Sequence, residues 1–236
     1  MSEASSRRYA IYYAPRPGSA LHDFGRSWLG HDPDRGPRIK ALRPEGLTVE
    51  AQSRAIKEPQ RYGFHGTLKP PFRLIPGKSE AELFDFAAQF ARTQRRILLP
   101  PFHLAAMKSF IAMVPSKPVP LLDRLAADCV EAFDVFRPPT TPDERRRRLR
   151  KADGLTKRQR AYILEWGYPY VLEEFRFHLT LSSDLPADEQ MRAFKTLSPL
   201  VEPLRSAPRE VNELCLFIQN NSRARFTCAA RFTLGG

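Results

Sequence analysis

Cysteine is scarce in this 236-residue chain: Cys129, Cys215 and Cys228 stand far apart, odd in number and without a C-x-x-C pair. That excludes a disulfide framework or a zinc knuckle as the organising device and points to a reducing compartment. No segment approaches the apolar length of a membrane span, and Met1 to Arg8 is polar, without the apolar stretch of a secretory signal. The expectation is a cytoplasmic protein with no membrane association. Five histidines are present, yet none forms an H-E-x-x-H zinc pattern, and Gly77-Lys78-Ser79 has the end of a P-loop with Phe72 where its first glycine belongs. Acidic residues are in short supply, 26 against 38 Lys plus Arg, giving a net charge of +12 and a field that attracts anionic partners.

What is present suits a globular α/β (α+β) protein. Hydrophobic residues make up 42% of the chain, enough for a proper core. Twenty-two prolines, several paired as in Pro70-Pro71 and Pro100-Pro101, punctuate it. Strands are expected over Arg7 to Ala14, Tyr62 to Leu68, Phe102 to Ala106, Ser109 to Val114 and Phe175 to Ser182, with Lys69-Pro70-Pro71 interrupting the second before Phe72 to Ile75. A closing hairpin is expected from Glu213 to Ile218 and Arg225 to Thr233. Helices are expected over Ser19 to Leu29, Thr48 to Ile56, from a Ser79/Glu82 capping box to about Thr93, Leu121 to Phe133, Thr156 to Trp166 and Ala187 to Leu197. Composition shifts at residues 137–170, where Pro-Pro-Thr-Thr-Pro leads into the basic run from Arg145 to Lys151; this stretch is expected to be a helical insertion covering the cleft of a single domain over residues 1–236. The basic run reads as a solvated helix, with Asp143 and Glu144 complementing the dipole at its start.

Two pentapeptides carry the chemistry. Phe64-His65-Gly66-Thr67-Leu68 and Phe177-His178-Leu179-Thr180-Leu181 both read F-H-x-T-L. In extended backbone, successive side chains alternate, so each copy sets an imidazole and a hydroxyl on one face and buries a phenylalanine and a leucine on the other. A single H-x-T is ordinary strand composition, threonine being favoured there. The doubled pentapeptide is not.

The paired motif resembles the H-x-T signature of the two-histidine phosphoesterases, which include RNA 2′,3′-cyclic phosphodiesterases and 2′-5′ RNA ligase-like proteins. Tyr62 to Phe72 and the run Trp166 to Val171 leading to Glu174-Phe175-Arg176-Phe177-His178 resemble, more narrowly, the family encoded near carbon-phosphorus lyase genes and linked to phosphonate metabolism. The resemblance implies a bilobal fold in which two antiparallel sheets face a central cleft, helices lie outside, and each half supplies one H-x-T. It also implies a hydrolase acting on a cyclic phosphate, with no cofactor and no metal.

The physical reading agrees with that implication. In-line cleavage of a cyclic phosphodiester needs a base on the entering water and an acid on the leaving alkoxide. Imidazoles titrate near neutrality, so His65 and His178 are the expected acid/base pair, one neutral and one protonated. Thr67 and Thr180 are expected to hold the non-bridging phosphate oxygens. Tyr62, Lys69 and Arg176 flank the motifs as further substrate contacts, whereas His22, His31 and His103 lack a threonine partner and read as loop or packing residues. The expected partner is a small phosphorylated substrate or an RNA terminus, with no obligate protein partner. Two alternatives remain at this level: a non-catalytic RNA-binding module, whose affinity falls steeply with salt, and a 2′-5′ RNA ligase-type phosphoryl transfer.

Overall fold

A computed structural model describes residues 7–36, 39–150, 154–205 and 209–236. In chain order the elements are β1 (Arg8–Tyr13), α1 (Ala20–Leu29), α2 (Val49–Ile56), β2 (Gly66–Phe72), α3 (Glu80–Thr93), β3 (Ile97–Leu99), β4 (Phe102–Met107) and β5 (Phe110–Pro115). They continue with α4 (Pro120–Ala132), α5 (Pro142–Arg150), α6 (Lys157–Glu165), β6 (Leu179–Thr180), α7 (Ala187–Val201), β7 (Arg209–Val211), β8 (Glu213–Gln219) and β9 (Thr227–Thr233). The mixed α/β architecture expected from the sequence is the one observed.

Seven strands form one antiparallel sheet in the order β4-β5-β6-β2-β1-β8-β9, and β3 pairs with β7 separately. Where the resemblance implies two antiparallel sheets facing a cleft, the two halves are joined into one sheet along a seam at which Gly66 pairs with Leu179. One half carries each motif.

Alternation along β1 shows how the sheet is dressed. Tyr9, Ile11 and Tyr13 enter the main apolar core with Leu83, Ala87 and Ala91 of α3. Ala10, Tyr12 and Ala14 belong to a smaller cluster with Cys215, Phe217 and Phe226 on the other face. Helix starts are fixed locally, since Ser79 and Glu82 form a reciprocal capping box and Thr156 and Gln159 another. Trp28 of α1 is fully buried, and its indole N–H donates to the Leu181 carbonyl at 2.8 Å, tying this helix to the second motif.

Several expected boundaries move. The first motif strand begins at Gly66 rather than Tyr62, and the second shrinks to Leu179–Thr180. Pro70 and Pro71 lie inside β2 instead of ending it. Proline lacks an N–H, and here none is called for on one side: β6 meets β2 only at Gly66, so the rest of β2 borders no strand there. The three-residue strands β3 and β7 and the extension of α7 to Val201 were outside the expected set. Residues 137–170 contain α5 and α6, and Lys151 of the basic run lies outside the described residues. All three cysteines are free.

Candidate active site

Each motif histidine is the residue immediately before its strand, so the paired Gly66 and Leu179 lie at the centre of the arrangement. Continuing that antiparallel register by one residue in each direction sets His65 opposite Thr180 and Thr67 opposite His178. Directly opposed side chains on one sheet face stand about 5 Å apart at Cβ. All four side chains line one cavity of about 370 Å³.

Packing on the far face fixes the seam. Phe64, Leu68, Phe177 and Leu181 are all buried. A Cβ built on Gly66 would meet the Phe177 ring at 2.4 Å, so the variable position of the first motif is glycine because the phenylalanine of the second crosses it. Phe64 packs equally closely on Gly25 of α1, where a Cβ would meet its ring at 2.1 Å.

The imidazoles are held by the same device. His65 Nδ1 lies 2.9 Å from the Gly63 carbonyl and His178 Nδ1 lies 2.7 Å from the Arg176 carbonyl. A carbonyl only accepts, so each neutral ring carries its proton on Nδ1 and keeps Nε2 as the basic nitrogen. His65 Nε2 is 3.2 Å from Thr67 Oγ1, and Tyr12 stacks on the His65 ring with centroids 3.9 Å apart. Phe110 lies against His178, centroids 5.6 Å apart.

Burial pushes His65 down to about 4; the Gly63 carbonyl opposes this, and the charge of a protonated His178 adds to it. Burial also lowers His178, against the pull of the Arg176 carbonyl. Burial thus favours the neutral form of both rings in the free protein. An anionic ester bound between them favours protonation of one ring, in keeping with the expected pair of one neutral and one charged imidazole. What the four groups offer together is two basic nitrogens and two hydroxyls converging on a space the size of a small ester.

The flanking expectations divide. Tyr62 does line the cavity, stacked on Phe226 and 6.0 Å from the His65 ring. Arg176 lines a neighbouring hollow of about 400 Å³ that also contains Thr67 and His178, and its guanidinium donates to the Glu173 carbonyl at 2.8 Å. Lys69 is not solvated and does not line the motif cavity: it is 2% exposed, with Nζ donating to the Val130 carbonyl at 2.7 Å and to Asp134 at 3.2 Å. The cause is a bulge. Tyr12 pairs with Thr67 and Ile11 with Lys69, so β2 holds one residue more than β1 between those pairs, and Lys69 turns to the face opposite Thr67. Burial lowers its pKa to about 8 despite Asp134.

The family described as "Protein of unknown function (DUF1045)" matches residues 67–227. The chain belongs to this family. Among curated relatives, a protein of Janthinobacterium sp. (strain Marseille) named "Ribose 1,5-bisphosphate phosphokinase PhnN" is 37% identical over 185 residues, 78% of this chain and 40% of the relative. A protein of the same name from Laribacter hongkongensis (strain HLHK9) is 32% identical over 226 residues, 93% of this chain and 50% of its own length. The chain thus spans half or less of the curated relatives it matches. Solved structures of E. coli LigT, one complexed with NADP+, and of TT0787 of Thermus thermophilus align over 97–98% of the chain and 98–99% of their own, at 13–15% identity and TM-scores of 0.42 to 0.43. Likeness at that level decides nothing about this DUF1045 chain.

Several cavity residues have no signal in the motif. Tyr12, Phe110, Ser182 and Asp184 line it because β1 and β5 flank the motif strands and the chain turns after Thr180. Of the other histidines, His31 is buried against the Phe226 carbonyl at 2.8 Å. His22, Asp32 and Asp34 offer ligand atoms within 4.8 Å of one another, away from the motif cavity, and Asp34 is already clasped by two bonds from Arg231. Among the described residues no helix is long and apolar enough to cross a membrane.

Proposed function

We propose that this chain is a metal-independent phosphodiesterase that hydrolyses a 2′,3′-cyclic phosphate or a related small cyclic sugar phosphate. The observation that carries the reading is the convergence of His65, Thr67, His178 and Thr180 on one cavity, each histidine across the seam from the other motif's threonine. His65, the ring held neutral down to about pH 4 and contacted by Thr67, is assigned the base that takes a proton from water. His178 is assigned the acid: the bound anion raises its proton affinity, and it delivers that proton to the leaving alkoxide. Thr67 and Thr180 donate to the non-bridging oxygens, where charge grows in the transition state.

The curated relatives' name, a ribose 1,5-bisphosphate phosphokinase, supports a place in sugar phosphate chemistry, and the resemblance to the family encoded near carbon-phosphorus lyase genes supports a link to phosphonate metabolism. They belong to chains at least twice as long as the part matched, and their kinase activity is not carried over. A leaving-group series tests the assignment: with a nitrophenyl ester, whose leaving oxygen needs no proton, His178→Ala is expected to recover most of its activity while His65→Ala is not. Equal recovery by both variants would overturn the assignment of roles. Activity in excess chelator is expected to equal that without it, and loss of turnover there would refute the metal-independent step.

A further inference from the structure

Beside the motif cavity lies a second hollow of about 280 Å³, sharing Tyr62, Pro70, Pro71 and Tyr168 with it. Five cationic side chains line this hollow and only one carboxylate, Glu144. Two of the five, Lys69 and Arg137, are committed to Asp134, Arg137 through two bonds of 2.7 and 3.1 Å. The others come from separate elements: Arg8 from β1, Arg73 just beyond β2 and Arg148 from α5.

Arg8 and Arg148 are fixed in place with donors to spare. Arg8 gives its Nε–H to Gln219 Oε1 at 2.7 Å, with its guanidinium carbon 5.3 Å from the centre of the Phe226 ring. Arg148 gives one Nη–H to the Gly167 carbonyl. A guanidinium has five donors, so each retains N–H groups for an anion. Burial holds Arg148 below the ordinary guanidinium range, Glu144 opposes this, and the nearby charges of Arg137, Arg147 and Arg73 lower it further. Like charges gathered this way repel one another until an anion joins them. The indole of Trp166 lines the same hollow.

We propose that this hollow is a second anion subsite, holding the terminal phosphomonoester of a substrate whose cyclic ester lies between His65 and His178. The proposal rests on the phosphodiesterase reading and narrows its substrate to a doubly phosphorylated small molecule. Arg8 and Tyr12 share the cleft face of β1, four residues and so about 13 Å apart at Cα, and both reach the Phe226 ring, the Arg8 guanidinium carbon lying 5.3 Å and the Tyr12 ring 6.2 Å from its centre. The two phosphates sit at the ends of that span, with Tyr62 and Tyr168 flanking the sugar between them. Arg148 belongs to the basic run that reads as solvated from sequence, yet it lines this hollow.

The experiment compares a ribose cyclic phosphate with and without a 5-phosphate. The wild-type protein is expected to prefer the 5-phosphorylated ester by tenfold or more in kcat/KM. Arg8→Ala and Arg148→Ala are each expected to reduce that preference several-fold, the loss falling mainly in KM. Glu144→Gln, which removes the one opposing carboxylate, is expected to increase it, an outcome that a misfolded variant cannot mimic. Hydrolysis of both esters with a preference that none of the three substitutions alters would overturn the subsite and leave the phosphodiesterase reading standing. If neither ester is hydrolysed, that reading fails, and calorimetry with ribose 5-phosphate on the His65→Ala/His178→Ala protein decides the subsite alone. Binding that weakens tenfold on adding Arg148→Ala supports it; no binding, or binding indifferent to Arg148, overturns it.

Discussion

Substituting His65 by glutamine should flatten the acid side of the stability profile. An imidazole in the unfolded chain takes up its proton near 6.5, while in the fold His65 does so only near 4, chiefly because burial opposes the charge. Above both values the ring is neutral in both states and contributes no pH dependence. As pH falls through 6.5 the unfolded chain binds a proton that the folded chain refuses, so stability drops, and the drop ends near pH 4, where the folded ring is protonated too. The gap corresponds to about 3 kcal/mol over the full window, of which about 2 kcal/mol is lost by pH 5. Urea unfolding of the wild-type and His65→Gln proteins at pH 7.5 and pH 5 measures the difference directly, because other titrating groups contribute equally to both. The variant is expected to lose about 2 kcal/mol less than the wild type between those pH values. Equal losses would show that His65 is not held neutral by burial, and the basis for naming it the base would go with that result.

Gly66→Ala is expected to destabilise the fold by about 1–3 kcal/mol, the usual cost of overpacking, because the new methyl would meet the Phe177 ring at 2.4 Å; thermal melts check this. Thr67→Val removes a hydroxyl 3.2 Å from His65 Nε2 and is expected to lower kcat by about 10²-fold, the scale for loss of a transition-state donor, with an unchanged melting temperature. Lys69→Met leaves Asp134 paired with Arg137 but deprives the Val130 carbonyl of its donor, for an expected stability loss of about 1–3 kcal/mol in denaturant titration.

Where local chemistry decides an element, the sequence declares it. Ser79 with Glu82 marks a helix start to the residue, and the alternation in F-H-x-T-L correctly separates buried Phe64 and Leu68 from the cavity-lining His65 and Thr67. Where a distant partner decides, it is silent. The fate of Lys69 depends on a bulge set by pairing with Tyr12 and Ile11, more than fifty positions earlier. Three-residue strands such as Ile97–Leu99 and Arg209–Val211 exist only because they meet each other across the chain. Tyr12 reads as a strand tyrosine until β1 sets its ring beneath His65. The inward turn of Arg148 depends on the carbonyl of Gly167, which no helical charge pattern reveals.

The most direct test of the two-histidine reading is the rate of hydrolysis of a 2′,3′-cyclic phosphate, followed by phosphorus NMR, for the wild-type protein, His65→Ala, His178→Ala and the double variant. Each single substitution is expected to cost about 10²-fold or more. The double is expected to cost little beyond the worse single, because the two rings act as one unit. Turnover that survives either substitution at the wild-type rate would contradict the account.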